Sequence, residues 1–410
     1  MSDAAAARDR PVALSYRHAL RFILLVGAVS LFADMTYEGA RSITGPYLAM
    51  LGASATAVGF VAGFGELIGY AVRLASGYLS DRTGRYWAVT IFGYCVNLLA
   101  VPLLALAGSW EAAALLIVLE RMGRAIRTPA RDAMLSHAAG HTGLGWGFGL
   151  HEALDQTGAV IGPLALGAVL YFGGDYRTGF AVLLIPALLA LSVLLAARLL
   201  YPRPRDFELS GPTLEGRGLP SSLWVYLAAV ALIAAGYADF PLIAYHFGKA
   251  EVIAPAWIPV LYAVAMATDA IAALGLGRMF DRIGLATMIL ATLGSLLAAP
   301  LAFLGGPTAA VVGMALWGVG MGAQESVMRA AIAQIAPAER RGTAYGIFNA
   351  LYGAAWFAGS VLLGALYDWS VLALVAASML LQAASLPVLL WVVRTSRRRR
   401  VAAESAGTAP

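Results

Sequence analysis

Residues 77–85 read Gly-Tyr-Leu-Ser-Asp-Arg-Thr-Gly-Arg, and a related stretch, Gly-Arg-Met-Phe-Asp-Arg-Ile-Gly-Leu, occupies residues 277–285. In both stretches an Asp-Arg pair follows the first glycine, and a second glycine stands two residues after the arginine. The second copy ends in Leu285 where the first has Arg85. Each copy lies at the end of the second long apolar run of its half of the chain. The repeat therefore indicates two related halves.

The composition excludes an ordinary soluble protein. Of the 410 residues, 60% are apolar and only 12% are charged, whereas soluble domains have about 45–50% apolar and about 25% charged residues. A core of this length cannot hide so much apolar surface from water, and the mean hydropathy of +0.76 agrees. The surplus must face lipid, so we predict an all-α membrane protein.

Apolar stretches of about 20 residues, long enough to cross a hydrocarbon layer about 30 Å thick, follow one another along the chain. Twelve such spans leave room for short loops and two tails, but none for a soluble catalytic domain. We predict the spans at approximately residues 20–50, 54–79, 87–108, 111–136, 144–171, 177–200, 222–247, 253–278, 284–305, 308–335, 343–367 and 370–393.

The predicted spans form two bundles of six. An even number of spans places both termini on one side of the membrane, and the arginines of the tails and alternate loops indicate that this side is cytoplasmic. The net charge of +5 fits this bias better than it fits nucleic-acid binding. We expect an N-terminal six-helix bundle at 1–200, a cytoplasmic linker at 201–221, a C-terminal six-helix bundle at 222–393 and a basic cytoplasmic tail at 394–410.

Other positions also correspond between the halves. Asp34 in the first span matches Asp239 in the seventh, and Arg131 in the fourth matches Arg329 in the tenth. Two parallel repeats of six helices, with a site between them near the midplane, are typical of a large class of transporters. Together with the loop motif, these features resemble the major facilitator superfamily, and the resemblance covers essentially the whole chain.

The resemblance implies that the loop motif helps to hold the cytoplasmic side shut in one conformation. Its glycines permit close helix approach and a tight turn, and its aspartate can meet basic groups or the positive end of a helix. A solvated turn that only sets topology is the alternative. The residues of this gate motif are Gly77, Asp81, Arg82, Gly84, Arg85, Asp281 and Arg282.

The fifth predicted span carries a second pattern of small residues. It resembles a motif in the fifth helix of proton-coupled drug and metabolite exporters, except that Leu166 stands where that motif has a glycine. The resemblance implies efflux by antiport, whereas small residues at this spacing also simply let two helices pack closely. The matching residues are Gly149, Gly158, Gly162, Pro163 and Gly167.

Ionisable side chains inside the spans cost about 2.5–3.5 kcal/mol each on insertion scales and are functional by default. Acidic residues of the first and fifth spans fall at the depth of arginines in the fourth. A carboxylate that exchanges an arginine partner for a proton is a coupling device, and fixed salt bridges that orient helices are the alternative. The predicted proton-carrying acid is Asp34, with Glu38 or Asp155 next, and the predicted arginine partners are Arg121, Arg124 and Arg127.

Polar and aromatic residues near the same depth are candidates for lining a substrate cavity. Carboxylates and arginines together do not define the charge of the substrate, and tyrosine rings can stack on a substrate ring. Each aromatic residue could instead pack against lipid or its neighbours. The candidate cavity residues are Tyr37, Glu66, His151, Glu152, Asp239, Tyr245, Gln324, Glu325 and Asn349.

No pattern indicates an enzyme. Residues 151–155, His-Glu-Ala-Leu-Asp, resemble the zinc motif His-Glu-x-x-His, but the fifth position is Asp and no third ligand is evident. The single cysteine, Cys95, excludes an internal disulfide and a Cys-based zinc site. No nucleophile elbow or phosphate-binding loop occurs. We therefore predict no enzymatic activity, no cofactor and no metal site.

The sequence predicts a secondary active transporter that moves a small solute across a bacterial inner membrane by alternating access. Proton-coupled efflux is the favoured interpretation, and proton-coupled symport that imports a small organic nutrient is the alternative. A non-transporting receptor or membrane-embedded enzyme is a third class, and a receptor would move nothing in vesicles. The expected partners are protons, a small-molecule substrate and lipid, without nucleic acid, and the protein is expected to be monomeric.

Overall fold

The computed structural model describes residues 16–139, 142, 144–202, 220–336 and 341–405. Helices are its framework, because a helix satisfies its own backbone hydrogen bonds where lipid offers none. The α-helices in this part of the chain are α1 (Tyr16–Met50), α2 (Ala55–Thr83), α3 (Tyr86–Leu103), α4 (Trp110–Ala139), α5 (Leu144–Tyr171), α6 (Tyr176–Val182), α7 (Leu184–Leu200), α8 (Ser221–Gly236), α9 (Phe240–Lys249), α10 (Ile258–Ile283), α11 (Ala286–Ser295), α12 (Ala298–Leu304), α13 (Pro307–Gly322), α14 (Met328–Ile335), α15 (Arg341–Trp369) and α16 (Val371–Ser405).

Within the described residues, ten helical segments are long and apolar enough to cross a membrane, and they coincide with ten of the predicted spans. The other two predicted spans, 111–136 and 308–335, are helical as well. The first of them is α4, which carries several charged side chains, and the second is divided by a π-helical turn at Ala323–Val327. Most of the predicted linker 201–221 lies outside the described residues, and α16 continues beyond the predicted span to Ser405.

The predicted span 222–247 is not one continuous helix. It divides into α8 and α9, and Pro241 stands in the first turn of α9, where its missing N–H costs nothing. Side chains of other helices bond the carbonyls that the break frees. Trp317 Nε1 donates to the carbonyl oxygen of Ala238 at 2.9 Å, and Ser378 Oγ donates to that of Gly236 at 2.6 Å. A broken helix at this depth is stable because protein, and not lipid, surrounds the break.

The two halves of the chain meet at one end of the bundle, which we call the closed end. It contains the α1–α2 and α15–α16 connections. Backbone approaches backbone there, since a Cβ atom added to Gly45 would lie 1.9 Å from the carbonyl oxygen of Pro241, and one added to Gly59 would lie 2.2 Å from that of Ser360. Among the described residues, every hydrogen bond between the halves joins groups in the middle of the bundle or at this end.

The two copies of the loop motif end α2 and α10 in the same way. The N–H of Gly84 bonds the carbonyl oxygen of Ser80 at 2.8 Å, and the N–H of Gly284 bonds that of Phe280 at 2.7 Å. Both glycines have a positive φ near 63°, which glycine adopts without the steric cost of a Cβ. Gly84 is left-handed helical with ψ of 12°, whereas Gly284 has ψ of −142°.

The other gate-motif residues lie around these turns, at the end of the bundle opposite the closed end. A Cβ atom on Gly77 would touch the Pro129 ring of α4 at 3.4 Å, and Arg82 Nη1 donates to Tyr78 Oη at 3.4 Å. The remaining motif side chains are solvent-facing, except that of Asp81, which falls outside the described set; the solvent-facing ones are Arg85, Asp281 and Arg282.

Two glycines of the fifth-helix pattern let α5 and α1 touch backbone to backbone. A Cβ atom on Gly158 would lie 2.1 Å from the carbonyl oxygen of Leu31, and one on Gly162 would lie 2.3 Å from that of Met35. Gly149, near the start of α5, has open space around it. The pattern therefore brings α1 against α5 at the level of Asp34.

We expect Gly158→Ala to destabilise the protein and Gly149→Ala to leave it as stable or slightly more stable. The added methyl group at Gly158 must push α1 away at a cost of about 1–3 kcal/mol, whereas alanine at an open helical position gains about 0.5–1 kcal/mol of helix propensity. Thermal unfolding of both variants in detergent measures the difference. Equal stabilities would contradict the packing role of Gly158.

Candidate functional site

A cavity of about 420 Å³ lies between the two halves, in the middle of the bundle. Side chains of α1, α2, α4 and α5 line it from one half, and side chains of α10, α13, the π-helical turn, α14 and α15 line it from the other. The cavity opens to the outside away from the closed end, and residues at its rim, such as Glu152 and Arg329, are exposed. The predicted site residues that line it are Asp34, Tyr37, Glu38, Glu66, Arg121, Arg124, Arg127, His151, Glu152, Asp155, Gln324 and Glu325.

Three residues predicted to line the cavity lie elsewhere. Tyr245 belongs to the closed end, where its hydroxyl donates to the carbonyl oxygen of Ala53 at 3.3 Å. Asn349 follows Phe348 on α15, and the helical turn takes it off the face through which Phe348 and Tyr352 line the cavity. Asp239 is buried behind the cavity wall, where it forms an ion pair with Arg41.

Glu38 joins the two halves through both of its carboxylate oxygens. Its Oε2 accepts a hydrogen bond of 2.5 Å from Tyr262 Oη on α10, and its Oε1 lies 3.4 Å from Arg124 Nη1 on α4. The pairing of a first-helix acid with a fourth-helix arginine thus occurs, but at Glu38. Loss of the charge on Glu38 would weaken a link between the halves and a link within the first half together.

Asp34 is buried at 3% exposure, and its carboxylate accepts a hydrogen bond from Tyr37 Oη. Within the described residues it forms no ion pair. The guanidinium group of Arg124 stacks on the Tyr37 ring with its carbon 4.2 Å from the ring centre. Asp155 lines the same cavity from α5, and its Oδ1 is buried without a hydrogen-bond partner. These two acids therefore stand in the cavity wall without a bonded cation.

A chain of ion pairs connects the cavity wall to the other half. Arg41 Nη2 on α1 lies 2.9 Å from Asp239 Oδ1 and 3.8 Å from Glu66 Oε1 on α2, and Arg121 Nη1 on α4 lies 3.0 Å from the same Glu66 oxygen. Asp239 also accepts a hydrogen bond of 3.2 Å from Trp356 Nε1. Asp239 lies in the break between α8 and α9, directly before the first residue of α9, so the helix break places it opposite α1.

Two of the predicted arginine partners have other contacts. Arg121 pairs with Glu66 and with its neighbour Glu120, at 3.4 Å, and not with Asp34. Arg127 is buried at 1% exposure against the Tyr94 ring of α3, donates to the Tyr94 hydroxyl at 3.0 Å and forms no ion pair in the described residues. Arg127 is held by cation–π attraction and one hydrogen bond, so a carboxylate is not needed to bury it.

Several groups of the site were missed from the sequence. Tyr262 bonds Glu38 from the opposite half, and Asn97 Nδ2 donates to Glu120 Oε1 at 2.8 Å. His151, in contrast, was predicted at the cavity, and its Nε2 lies 2.8 Å from Ser30 Oγ. A polar residue in an apolar span was the available signal at Asn97, but tyrosines at positions such as Tyr262 occur in many packing roles.

The comparisons agree with this architecture. The family model of the Major Facilitator Superfamily matches residues 24–321 and 227–410. The chain therefore belongs to this superfamily of transporters. It is a multi-pass membrane transport protein and not an enzyme.

The chain is similar along most of its length to several other proteins. It is 42% identical over 387 residues to the Mycobacterium tuberculosis H37Rv protein Rv2265, and the match covers 92% of this chain and 94% of the mycobacterial protein. It is 26% identical over 363 residues to the MFS-type transporter MJ1317 of Methanocaldococcus jannaschii, covering 85% and 88%. The nucleoside transporter NupG has the same fold, with a TM-score of 0.70 at 12% identity over 91% of this chain and 98% of that one.

We expect Arg41 and Asp239 to be strongly coupled in a double-mutant cycle. Either Arg41→Gln or Asp239→Asn leaves a buried charge without its main partner, so each is destabilising, and the double variant loses less than the sum. The coupling energy should reach about 1.5–3 kcal/mol, as for a hydrogen bond between charged groups. Denaturant titration in detergent measures the free energies of unfolding.

The pair Arg131 and Asp132 provides the control, because these residues are adjacent on α4 and Asp132 is 43% exposed. Arg131→Gln and Asp132→Asn should show coupling below about 1 kcal/mol. Additive effects of the Arg41 and Asp239 substitutions would contradict the pairing.

Proposed function

We propose that this protein is a secondary active transporter that exports a small solute in exchange for protons by alternating access. The observation that carries the proposal is the cavity between the two halves, lined by buried carboxylates and arginines and closed at one end only. The pattern of small residues in α5, which resembles that of proton-coupled exporters, supports antiport. Uptake by proton symport uses the same elements, so the direction is left to the experiment.

The proposal includes a topology of twelve spans in two six-helix bundles, 1–200 and 222–393, with a cytoplasmic linker at 201–221 and a basic tail at 394–410. The two helical segments with more polar residues, α4 and α13 with α14, complete the count, because most of their charged groups line the cavity. The arginines near the chain ends support cytoplasmic termini in a bacterial inner membrane. The cavity then opens to the cytoplasm, and the gate motif at Gly77–Arg85 closes that side in the other conformation.

Alternating access requires that the closed end opens. One contact there has a clear energetic role. The carboxylate of Asp368, at the end of α15, accepts hydrogen bonds from the N–H groups of Ala55 and Thr56 at 3.1 and 2.8 Å and from Thr56 Oγ1 at 2.6 Å. Asp368 of one half thus caps the first turn of α2 in the other half. Separation of the halves breaks all three bonds.

In the proposed coupling, Asp34 carries the proton. It is buried in the cavity wall next to the α1–α5 backbone contact, with Arg124 as a fixed positive charge nearby and no bonded cation of its own. Glu38 and Asp155 are the next candidates. Protonation of an acid at this position removes a negative charge between α1, α4 and α5, and the proton leaves when the cavity faces the other side.

We expect Asp34→Asn to abolish transport driven by a pH gradient in reconstituted vesicles while exchange of labelled for unlabelled solute continues. The amide keeps the shape of the side chain but cannot release a proton. The solute is one that raises the unfolding temperature of the purified protein in a compound screen. Asp132→Asn, at a cavity acid already paired with Arg131, is the control and should keep gradient-driven transport.

Accumulation in vesicles also gives the direction, since an exporter and an importer respond to opposite pH gradients. Intact gradient-driven transport in Asp34→Asn would refute the assignment of the proton to Asp34. Absence of transport by the unmodified protein with any stabilising solute would refute the proposed function.

We expect Asp368→Ala to favour opening of the closed end. Loss of a helix cap costs about 1 kcal/mol, which corresponds to roughly a fivefold change in an equilibrium. The measurement is maleimide labelling of Ala53→Cys in a Cys95→Ala background, because Ala53 is 6% exposed and lies under Tyr245 of the other half. The labelling rate should rise about fivefold.

Asp175→Ala is the matched control. Asp175 bonds the N–H and hydroxyl of Thr178 at 2.8 and 2.7 Å, the same kind of cap, but within α6 of one half. It should leave labelling at Ala53→Cys unchanged. Equal labelling rates in both variants would show that the Asp368 cap does not restrain the halves.

A further inference from the structure

Of the charged groups in the cavity wall that form no ion pair, Asp34 and Asp155 belong to the proposed proton coupling, and Arg127 is held by an aromatic ring. Away from the exposed rim, two further groups of the wall form no ion pair. Arg73 lines the cavity from α2, and Asp269 lines it from α10. Neither forms an ion pair within 4.0 Å in the described part of the chain, and each has a buried atom without a hydrogen-bond partner, Nε of Arg73 and Oδ1 of Asp269. A buried polar atom without a partner costs about 1–3 kcal/mol, and more when it belongs to a charged group. A bound ligand can supply the missing partners.

The surroundings of Arg73 are positive. Arg124 of α4 and Arg329 of α14 both repel its guanidinium, and the centre of the Tyr70 ring lies 5.5 Å from the guanidinium carbon. Glu66 also attracts Arg73, but that carboxylate already lies 3.0 Å from Arg121. An anionic group placed beside Arg73 would therefore relieve repulsion between arginines of both halves. We call this part of the wall the basic pole.

The surroundings of Asp269 are negative. The charged groups that act on its carboxylate are Glu325, Glu152 and Glu38, all of them acidic. Asp269 is only 2% exposed, and its Oδ1 would lie 3.0 Å from a Cβ atom on Gly322, at the end of α13. The π-helical turn that carries Glu325 starts directly after Gly322, and such turns occur frequently at functional sites. We call this part of the wall the acidic pole.

The poles do not neutralise each other. Arg73 is not among the charges that act on Asp269, and Asp269 is not among the main charges that act on Arg73. Arg73 belongs to the first half of the chain, and Asp269 belongs to the second half. A solute with one charge could satisfy one pole only, and the other pole would stay uncompensated.

We propose that the cavity binds a zwitterionic solute, with its anionic group at Arg73 and its ammonium group at Asp269. This inference rests on the proposed function, since it names the class of solute that the transport site takes. The cavity volume of about 420 Å³ suits a small molecule. Because the poles belong to different halves, a zwitterion contacts both halves at once, as alternating access requires of a substrate.

The test is a binding measurement on the purified full-length protein in detergent at low salt and neutral pH. The probes share one carbon skeleton: 5-aminopentanoate carries both charges, pentanoate only the negative charge, and pentylamine only the positive charge. The homologues from 4-aminobutanoate to 8-aminooctanoate scan the separation of the two charges. We expect at least one ω-amino acid to bind at least tenfold more tightly than the carboxylate and the amine of the same length.

Two substitutions locate the charges of the bound probe. Arg73→Gln should weaken binding of that ω-amino acid about tenfold or more and leave the weak binding of the matching alkylamine unchanged. Asp269→Asn should weaken it by a similar factor and leave binding of the matching carboxylate unchanged. Asp175→Asn, at an exposed acid outside the cavity, should bind like the unmodified protein. Thermal unfolding confirms that each variant is folded, and Arg73→Met, which also removes the positive charge, replaces Arg73→Gln if the latter is not.

Equal binding of the singly charged probes, or no binding of any ω-amino acid by the unmodified protein, would overturn the proposal. An equal loss of affinity for the amine and for the amino acid in Arg73→Gln would also overturn it. The measurement needs no membrane gradient, so its failure is distinct from failure of the proposed function. A protein that transports a different solute would still pass the vesicle test, and a protein that binds zwitterions without moving them would pass only this one.

Discussion

The contact on which the rest of the site depends is the ion pair between Arg41 and Asp239, at 2.9 Å in the middle of the bundle. A charge in this environment must be paired, because removing it from water costs several kcal/mol. The helix break before α9 is what places Asp239 opposite α1, and the carbonyls freed by that break are bonded by Trp317 and Ser378. The broken helix thus allows a buried charge of one half to meet its partner in the other half.

The need to pair buried charges also distinguishes the charged side chains that hold helices together from those that can bind a proton or a solute. Glu66, Arg121 and Glu120 extend the pairing into the first half, and Glu38 is held by Arg124 and Tyr262. Charges used in this way hold helices together and are poorly placed to bind anything else. The groups that remain unpaired face the cavity, where protons or a solute can reach them. A transporter needs both kinds of charge, since the helix bundle must stay stable while protons and solute enter and leave its cavity.

Much of the fold could be predicted from the sequence, and less of the site. The apolar runs predict the spans to within a few residues because lipid selects directly for length and hydropathy. The break within 222–247 was missed, although Gly236 and Pro241 flank it. Twelve of the predicted site residues line the cavity, since polar groups in apolar spans rarely face lipid. Tyr245 was placed wrongly, because depth along a helix does not tell which way its side chain points.

The sequence by itself determined the class of protein: an all-helical membrane transporter in two related halves, with charges at mid-membrane depth. These properties depend on composition and spacing, which each segment carries alone. Only the tertiary structure decided which charges pair, for example Arg41 with Asp239 across 198 residues of chain. Partners of this kind are set by the rotation of each helix about its axis and by contacts as close as that of Gly158 with Leu31. Such contacts depend on the shape of both surfaces, so no single segment specifies them.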